Sequence, residues 1–157
     1  MAIDVFLKIP EIKGESLDDR HRDEIEVWSW SWGLAQTGAA VAAGGGTGKV
    51  SISDLNLMHS FDKASPVLMT YCATGKHLKE ATLTVRKAGK EQQEYLIIKM
   101  NDVLITSVQD SASDETPTES VSLQFAKVDV SYAPQKPDGS LDVAVHFKYD
   151  LKLNKQA

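Results

Sequence analysis

Hydrophobic and polar residues alternate with a period of two over much of the chain. The longest run spans residues 141–153, where every second position is apolar, and an Asp138-Gly139 pair precedes it. Shorter runs begin at Ile3 and Ala81, and Gly89 separates the latter from the apolar segment 94–98. Because successive side chains of a strand point to opposite faces, each run predicts a strand with one buried face. The Asp-Gly pair and Gly89 predict turns between strands.

Two runs change phase partway along. Odd-numbered positions are apolar over residues 121–125, whereas even-numbered positions are apolar over residues 126–132. A similar change separates Val50 and Ile52 from Leu55 and Leu57. A switch of face within one run requires a β-bulge or a bend from one sheet into another. Such bends are typical of barrels and orthogonal sandwiches.

One segment, residues 65–75, has helical signals instead. Ser65 can cap the first turn, Pro66 suits the first helical position, and Gly75 suits a left-handed stop. Leu68 and Cys72 share one face at helical spacing. The pattern therefore predicts a mainly β fold with one short α-helix packed on it. The length of 157 residues favours a single domain over residues 1–157.

All three tryptophans of the chain fall within the stretch WSWSW at residues 28–32. In a strand, Trp28, Trp30 and Trp32 share one face, and Ser29 and Ser31 share the other. A row of exposed tryptophans could stack on sugars or bases, but it would lower solubility. We predict that the tryptophans point to the core and the serines point outward. The outward face is then small, polar and uncharged, which suits the lining of a shared cavity.

The charge of the chain argues against nucleic acid as a partner. It has 22 acidic and 17 basic residues, for a net charge of −5, whereas phosphate binding needs a basic surface. Residues 109–120 contain four acidic residues and no basic one, and we interpret them as a solvated, mobile loop. Residues 18–26 mix acidic residues with arginines, which indicates a surface patch or a subunit contact.

No group of residues predicts an enzyme, a cofactor or a metal. The segment AGGGTGKV at residues 43–50 fails as a phosphate-binding loop, because Ala43 and Val50 stand where glycine and serine or threonine are required. A strand pattern also follows it, so we interpret it as a flexible loop. The four histidines lack metal-ligand spacing. The single cysteine, Cys72, excludes an internal disulfide.

The sequence shows neither a membrane segment nor a cleaved signal peptide. No apolar run approaches the roughly 20 residues of a membrane-spanning helix. Asp4 and Lys8 interrupt the apolar residues at the N-terminus, which is not the pattern of a signal peptide. We expect synthesis in the cytoplasm, with export through other machinery left open.

A series of short motifs runs along almost the whole chain: FLKI at 6–9, GES at 14–16, EIEVWSWSWG at 24–33, GGGTGKVSISDL at 44–55, SPVLM at 65–69, GKH at 75–77, RKAG at 86–89, EYL at 94–96, VSLQFAKV at 121–128 and YAPQ at 132–135. In this order and at these distances, the motifs resemble the Hcp (haemolysin-coregulated protein) family, the tube subunits of bacterial type VI secretion. The resemblance implies a small β-barrel of two packed antiparallel sheets with one short α-helix on the side.

The resemblance also implies a function. Members of this family form hexameric rings that stack into a hollow tube, which a contractile sheath expels behind a spike protein. Small effector proteins are carried in the ring lumen, and the tube is secreted. By this resemblance Ser31 and Ser29 face the lumen and are candidates for effector contact. The residues that would reach the neighbouring ring are Gly44, Gly45, Gly46, Thr47 and Gly48.

An alternative stays open on the residues alone. A β-barrel of this size can hold a small ligand in its own interior, and the long loop at residues 36–48 would then act as a lid. The ligand-binding hypothesis predicts a stable monomer, whereas the tube-subunit hypothesis predicts a ring.

Overall fold

The computed structural model describes residues 2–36, 49–89, 92–113 and 115–157. Its strands and helix within those residues are, in chain order, β1 (Ile3–Lys8), β2 (Ile25–Glu26), β3 (Ser29–Ser31), β4 (Leu34–Gln36), β5 (Val50–Ile52), β6 (Leu55–Ser60), α1 (Ser65–Thr74), β7 (Leu78–Lys87), β8 (Glu94–Ser111), β9 (Thr118–Tyr132), β10 (Val145–Asp150) and β11 (Lys155–Gln156). In this part of the chain no helix has both the length and the apolarity needed to cross a membrane.

The strands form two antiparallel sheets. The larger runs in the order β11-β10-β9-β8-β7-β1-β2, with β6 paired to both β9 and β3, and the smaller contains β4 and β5. Residues 25–31 join β1 to β6, because the Val27 amide donates to the Val5 carbonyl and the Trp28 amide donates to the Met58 carbonyl. The larger sheet therefore closes on itself, and the prediction of a mainly β fold with one short helix is confirmed.

The change of phase along β9 has a structural cause that β8 shares. In β8 the buried residues are Ile98 and Met100 before the change and Val103 and Ile105 after it. Between them lies Asp102, whose φ of 54° is left-handed and which is not paired with the strand opposite. Both strands therefore turn over at the same point, so that β9 pairs with β6 through its first half and with β10 through its second half. The other change of phase is the step from β5 in one sheet to β6 in the other.

The helix lies where the sequence predicts it, but its cap differs. Gly75 ends α1 with a φ of 66°, and its amide donates to the Tyr71 carbonyl at 3.0 Å. Ser65 is not the cap, because Ala64 holds that position. Instead, the carboxylate of Asp62 accepts from the Ala64 amide at 2.9 Å, while the Ser65 hydroxyl accepts from the Asp62 amide at 3.1 Å.

Two sequence predictions were wrong. The C-terminal run forms a strand only over Val145–Asp150, and Val143 is 81% exposed, since among the described strands β10 pairs only with β9 and β11 and lies off the closed path of the larger sheet. The interpretation of the acidic segment 109–120 as a loop is wrong for half of its length, since β8 extends to Ser111 and β9 begins at Thr118. Glu119 within it is fully buried.

Candidate functional site

Uncharged polar side chains cover one surface of four adjacent strands, β3, β6, β9 and β8. Residues directly opposite in a ladder point to the same side of a sheet, so the register defines two rows. The first row is Ser29, Met58, Ser120 and Gln109, and the second row is Ser31, Asn56, Ser122 and Ser107. We call these eight residues the polar face.

The polar face forms a shallow groove of about 380 Å³. None of its members is charged, although 25% of the residues in the chain are. Met58, which is 39% exposed, is its apolar member. Within the described part of the chain the Ser122 hydroxyl donates to the Asn56 side-chain oxygen at 2.5 Å, whereas the hydroxyls of Ser29 and Ser31 have no partner. These two hydroxyls are therefore available to a second molecule.

The side chains that alternate with the polar face point into the core. Leu57 and Val121 are 2% and 1% exposed, and Trp30 packs partly buried against the same cluster. Trp32 also packs on the core, 6.2 Å from the ring of Phe125, and its Nε1 donates to the Ser53 carbonyl at 2.9 Å. The structure thus places the serines outward and these two tryptophans inward, as the alternation predicts.

The prediction that Trp28 points to the core is wrong. This residue is 58% exposed, because the chain leaves β1 and joins β6 between Val27 and Trp28, so the strand geometry does not continue through this position. The sequence reasoning also missed the other six members of the polar face. A signal for them existed, since Asn56 and Met58 alternate with Leu55 and Leu57, and Ser120 and Ser122 alternate with Val121 and Leu123.

In contrast to the polar face, which has no charged residue, a second region of the barrel contains buried charged side chains. Arg86, 1% exposed, binds both oxygens of Asp18 and donates to Asp4 at 3.2 Å, and its guanidinium lies 4.8 Å from the ring of Phe6. The imidazole of His21 stacks on Phe6 at 4.4 Å. We call these five residues the anchor network. Hydrogen bonding to Arg86 lowers the pKa of Asp18 to about 2.

The anchor network holds residues 13–24 against the barrel. His21 Nδ1 lies 2.9 Å from Glu24 and its Nε2 lies 2.6 Å from Glu94 on β8. Gly14 allows the close approach, because a Cβ there would lie 2.5 Å from the Glu24 carbonyl oxygen. The interpretation of residues 18–26 as a surface patch is therefore wrong in part, since His21 and Glu24 are buried and Asp18 is half-buried.

The other predicted residues form no further site. Each histidine lies beside a carboxylate, the closest being Glu94 for His21, Glu119 for His59, Asp102 for His77 and Asp129 for His146. Across the described ranges no group of three or more histidine, cysteine, aspartate or glutamate side chains could hold a metal ion. Residues 44–48, predicted to contact a neighbouring ring, lie outside the described residues.

The chain is similar to proteins of known family. A family model described as "Type VI secretion system effector, Hcp" matches residues 6–132. Protein hcp1 of Pseudomonas aeruginosa is 52% identical over 163 aligned residues that cover 100% of both chains. The crystal structure of Hcp1 from Salmonella typhimurium has a TM-score of 0.81 at 38% identity, with 100% of both chains covered. A type VI secretion system effector from Yersinia pestis has a TM-score of 0.78 at 38% identity, covering 94% of this chain and 99% of that one.

Proposed function

The chain belongs to the Hcp family of type VI secretion system proteins, and on that premise we propose that it is a structural subunit of the secretion tube. Six copies form a ring, rings stack into a hollow tube, and a contractile sheath expels the tube behind a spike protein at its tip. The subunit is made in the cytoplasm and is then secreted. This role is mechanical and requires no catalytic residue and no cofactor.

The polar face is the observation that supports this proposal. A ring of barrels turns one surface of every subunit toward its central opening, and passage through that opening is easiest along a surface without charge or large apolar patches. The polar face combines both properties over four strands. We therefore assign Ser29 and Ser31 to the lumen, where their hydroxyls contact small effector proteins that the ring carries.

Closing a ring of subunits and stacking rings into a tube require different contacts. A cyclic ring uses the same pair of complementary surfaces at every junction, whereas head-to-tail stacking of rings does not close and so permits a filament. We assign the ring-to-ring contact to Gly44, Gly45, Gly46, Thr47 and Gly48. Deleting residues 44–48 should leave rings intact and abolish stacked tubes in negative-stain images. Rings that still stack after the deletion would move this contact elsewhere.

The first experiment is the solution mass of the purified protein, measured by size exclusion with light scattering and combined with negative-stain images of the peak. A six-fold ring with an open centre is expected. A stable monomer would contradict the proposal and would favour a barrel that binds a small ligand. Such a ligand would have to displace Leu7, Leu83 and Met100, which are fully buried in the barrel interior.

The carrier role is tested by Ser31→Gln. The larger side chain projects into the opening, so rings should form normally while a co-expressed small effector protein is retained less well. The matched control is Ser113→Gln, which changes an exposed serine in the turn between β8 and β9, away from the polar face. Equal retention by the two variants would remove Ser31 from the effector contact, and loss of folding would show that Ser31 packs in the core.

A further inference from the structure

A buried histidine and glutamate lie directly behind the polar face. His59 on β6 and Glu119 on β9 are opposite each other in the ladder, and each is 0% exposed. The neighbouring pair in the same ladder is Met58 and Ser120, both of the polar face. His59 Nε2 lies 2.8 Å from Glu119 Oε1. These two side chains therefore occupy a core position and join the strands that carry the polar face.

The hydrogen bonding of this pair is incomplete. Among the described residues, His59 Nδ1 and Glu119 Oε2 have no hydrogen-bond partner, although both atoms are buried. Buried polar atoms in folded proteins are nearly always paired. Two unpaired atoms on adjacent titratable groups therefore mark a place where a change of protonation or a small movement would complete the network.

Asp62 is the acceptor that could complete it. Its Oδ2 lies 3.8 Å from His59 Nδ1, which is beyond hydrogen-bond distance. The same side chain already accepts from the Ala64 amide, and the Asp62 amide donates to the Ser65 hydroxyl, so Asp62 is part of the entry into α1. A movement of Asp62 toward His59 therefore carries the first turn of α1 with it.

Protonation decides whether that movement is favourable. A neutral imidazole has one N–H, and if Nε2 donates it to Glu119, then Nδ1 presents a lone pair to the Asp62 carboxylate. A charged imidazolium has two donors and stands between two carboxylates. Burial by itself lowers the pKa of His59, but the neighbouring carboxylates of Asp62 and Glu119 outweigh it, and the pKa is raised.

Two further groups, Asp110 and Ser65, face Glu119 and act in opposite directions. Asp110 on β8 is opposite Glu119 in the ladder, and Ser65 reaches it from α1. Burial and the neighbouring Asp110 raise the pKa of Glu119, although His59 and Ser65 partly counter this. The groups that face His59 and Glu119 are thus carboxylates and one hydroxyl. The carboxylates favour a proton held on the pair, whereas the Ser65 hydroxyl opposes one on Glu119.

We propose that His59 is a proton-operated latch: when it is charged, it draws Asp62 onto the barrel and fixes the start of α1, and when it is neutral, that turn is released. The latch couples pH to the order of one helix end, immediately behind the strands of the polar face. It depends only on the described contacts and does not require that the protein form a ring.

Hydrogen–deuterium exchange of the native protein tests the latch. Uptake by peptides covering residues 61–70 is compared at about pH 6 and about pH 9, corrected for the intrinsic pH dependence of exchange with an unstructured peptide. We expect several-fold slower corrected exchange at the lower pH. Exchange that is equal at the two pH values after correction would overturn the proposal.

Two variants separate a latch from a merely structural pair. Asp62→Asn keeps an oxygen for the Ala64 amide but removes the carboxylate charge, so the pH difference in residues 61–70 should disappear while the fold is retained. His59→Gln should also remove it, provided that the variant folds. His146→Gln is the control, because its exposed imidazole contacts Asp129 at a similar 2.9 Å and should leave the pH difference unchanged. A full pH difference in Asp62→Asn would overturn the proposal.

Discussion

The polar face and the anchor network belong to one barrel but treat charge in opposite ways. The polar face offers exposed hydroxyl and amide groups without a single charge, whereas the anchor network encloses Arg86, Asp18 and His21 around the ring of Phe6. Burying an ion pair removes charges from water, so its net stabilisation is modest, but removing one partner is costly. The network therefore fixes the position of residues 13–24, and the polar face is left for contact with other molecules.

The largest expected effect is that of Arg86→Met in the anchor network. The substitution leaves Asp18 without its guanidinium partner, and breaking a buried ion pair typically costs about 3–5 kcal/mol. We expect a loss near the lower limit, because Asp18 and Asp4 keep partial contact with solvent. Urea-induced unfolding measures it.

The matched control is Lys152→Met, which breaks an exposed pair with Asp102 at 2.7 Å. Exposed pairs contribute little to stability, because water screens their charges, so this variant should unfold almost like the wild type. Equal losses in the two variants would mean that the burial of Arg86 does not matter, and the contrast between the two regions would lose its energetic basis.

The second expected effect is a difference in stability between alanine variants of Trp30 and Trp28. Trp30→Ala should lower the free energy of unfolding by about 3 kcal/mol, since it removes a large side chain packed on the core behind the polar face. Trp28→Ala should cost less than about 1 kcal/mol, because Trp28 is largely exposed. The measurement is again urea-induced unfolding. A larger loss for Trp28→Ala than for Trp30→Ala would place Trp28 in the core. It would contradict the change of pairing partner, from β1 to β6, between Val27 and Trp28.

The sequence predicts the orientation of some residues in and behind the polar face but not of the neighbouring Trp28. Alternation assigns Ser29, Ser31 and Trp30 correctly because each is flanked by strand neighbours with a regular pleat. It fails at Trp28 because the crossing from β1 to β6 is a property of where two distant strands lie. The alternation of residues along a short stretch of sequence cannot show where two distant strands lie.

Glu119 shows the same limit for charge. Composition places it in a solvated acidic segment, yet it is buried because His59, distant in sequence, lies opposite it. Alternation offers a better signal, since Glu119 is in phase with Val121, Leu123 and Phe125. A pattern of burial is thus readable from the sequence, whereas the partner that makes a buried charge tolerable is found only through the fold.

The third prediction concerns pH and the anchor network. Arg86 lowers the pKa of Asp18 from 3.8 to about 2. A lowered carboxyl pKa stabilises the fold above the unfolded value, and the contribution is lost as pH falls through the folded value. On acidification from about pH 5 to about pH 2, the wild type should lose about 1–2 kcal/mol more than Asp18→Asn. If the free energy of unfolding falls equally in the two proteins over this pH range, the stabilising pairing of Asp18 with Arg86 would be contradicted.

The smallest effect on folding is expected from Ser29→Lys, which brings charge to the polar face. The side chain points to solvent, so the free energy of unfolding should change by less than about 0.5 kcal/mol. If the face lines the lumen of a ring, retention of a co-expressed effector should become dependent on ionic strength, because salt screens exposed charges. Ser113→Lys, off the polar face, is the control and should bind effector as the wild type does. A loss of stability well above 1 kcal/mol in Ser29→Lys would show that the face packs within the subunit, and the difference between the two regions would then be one of packing and not of function.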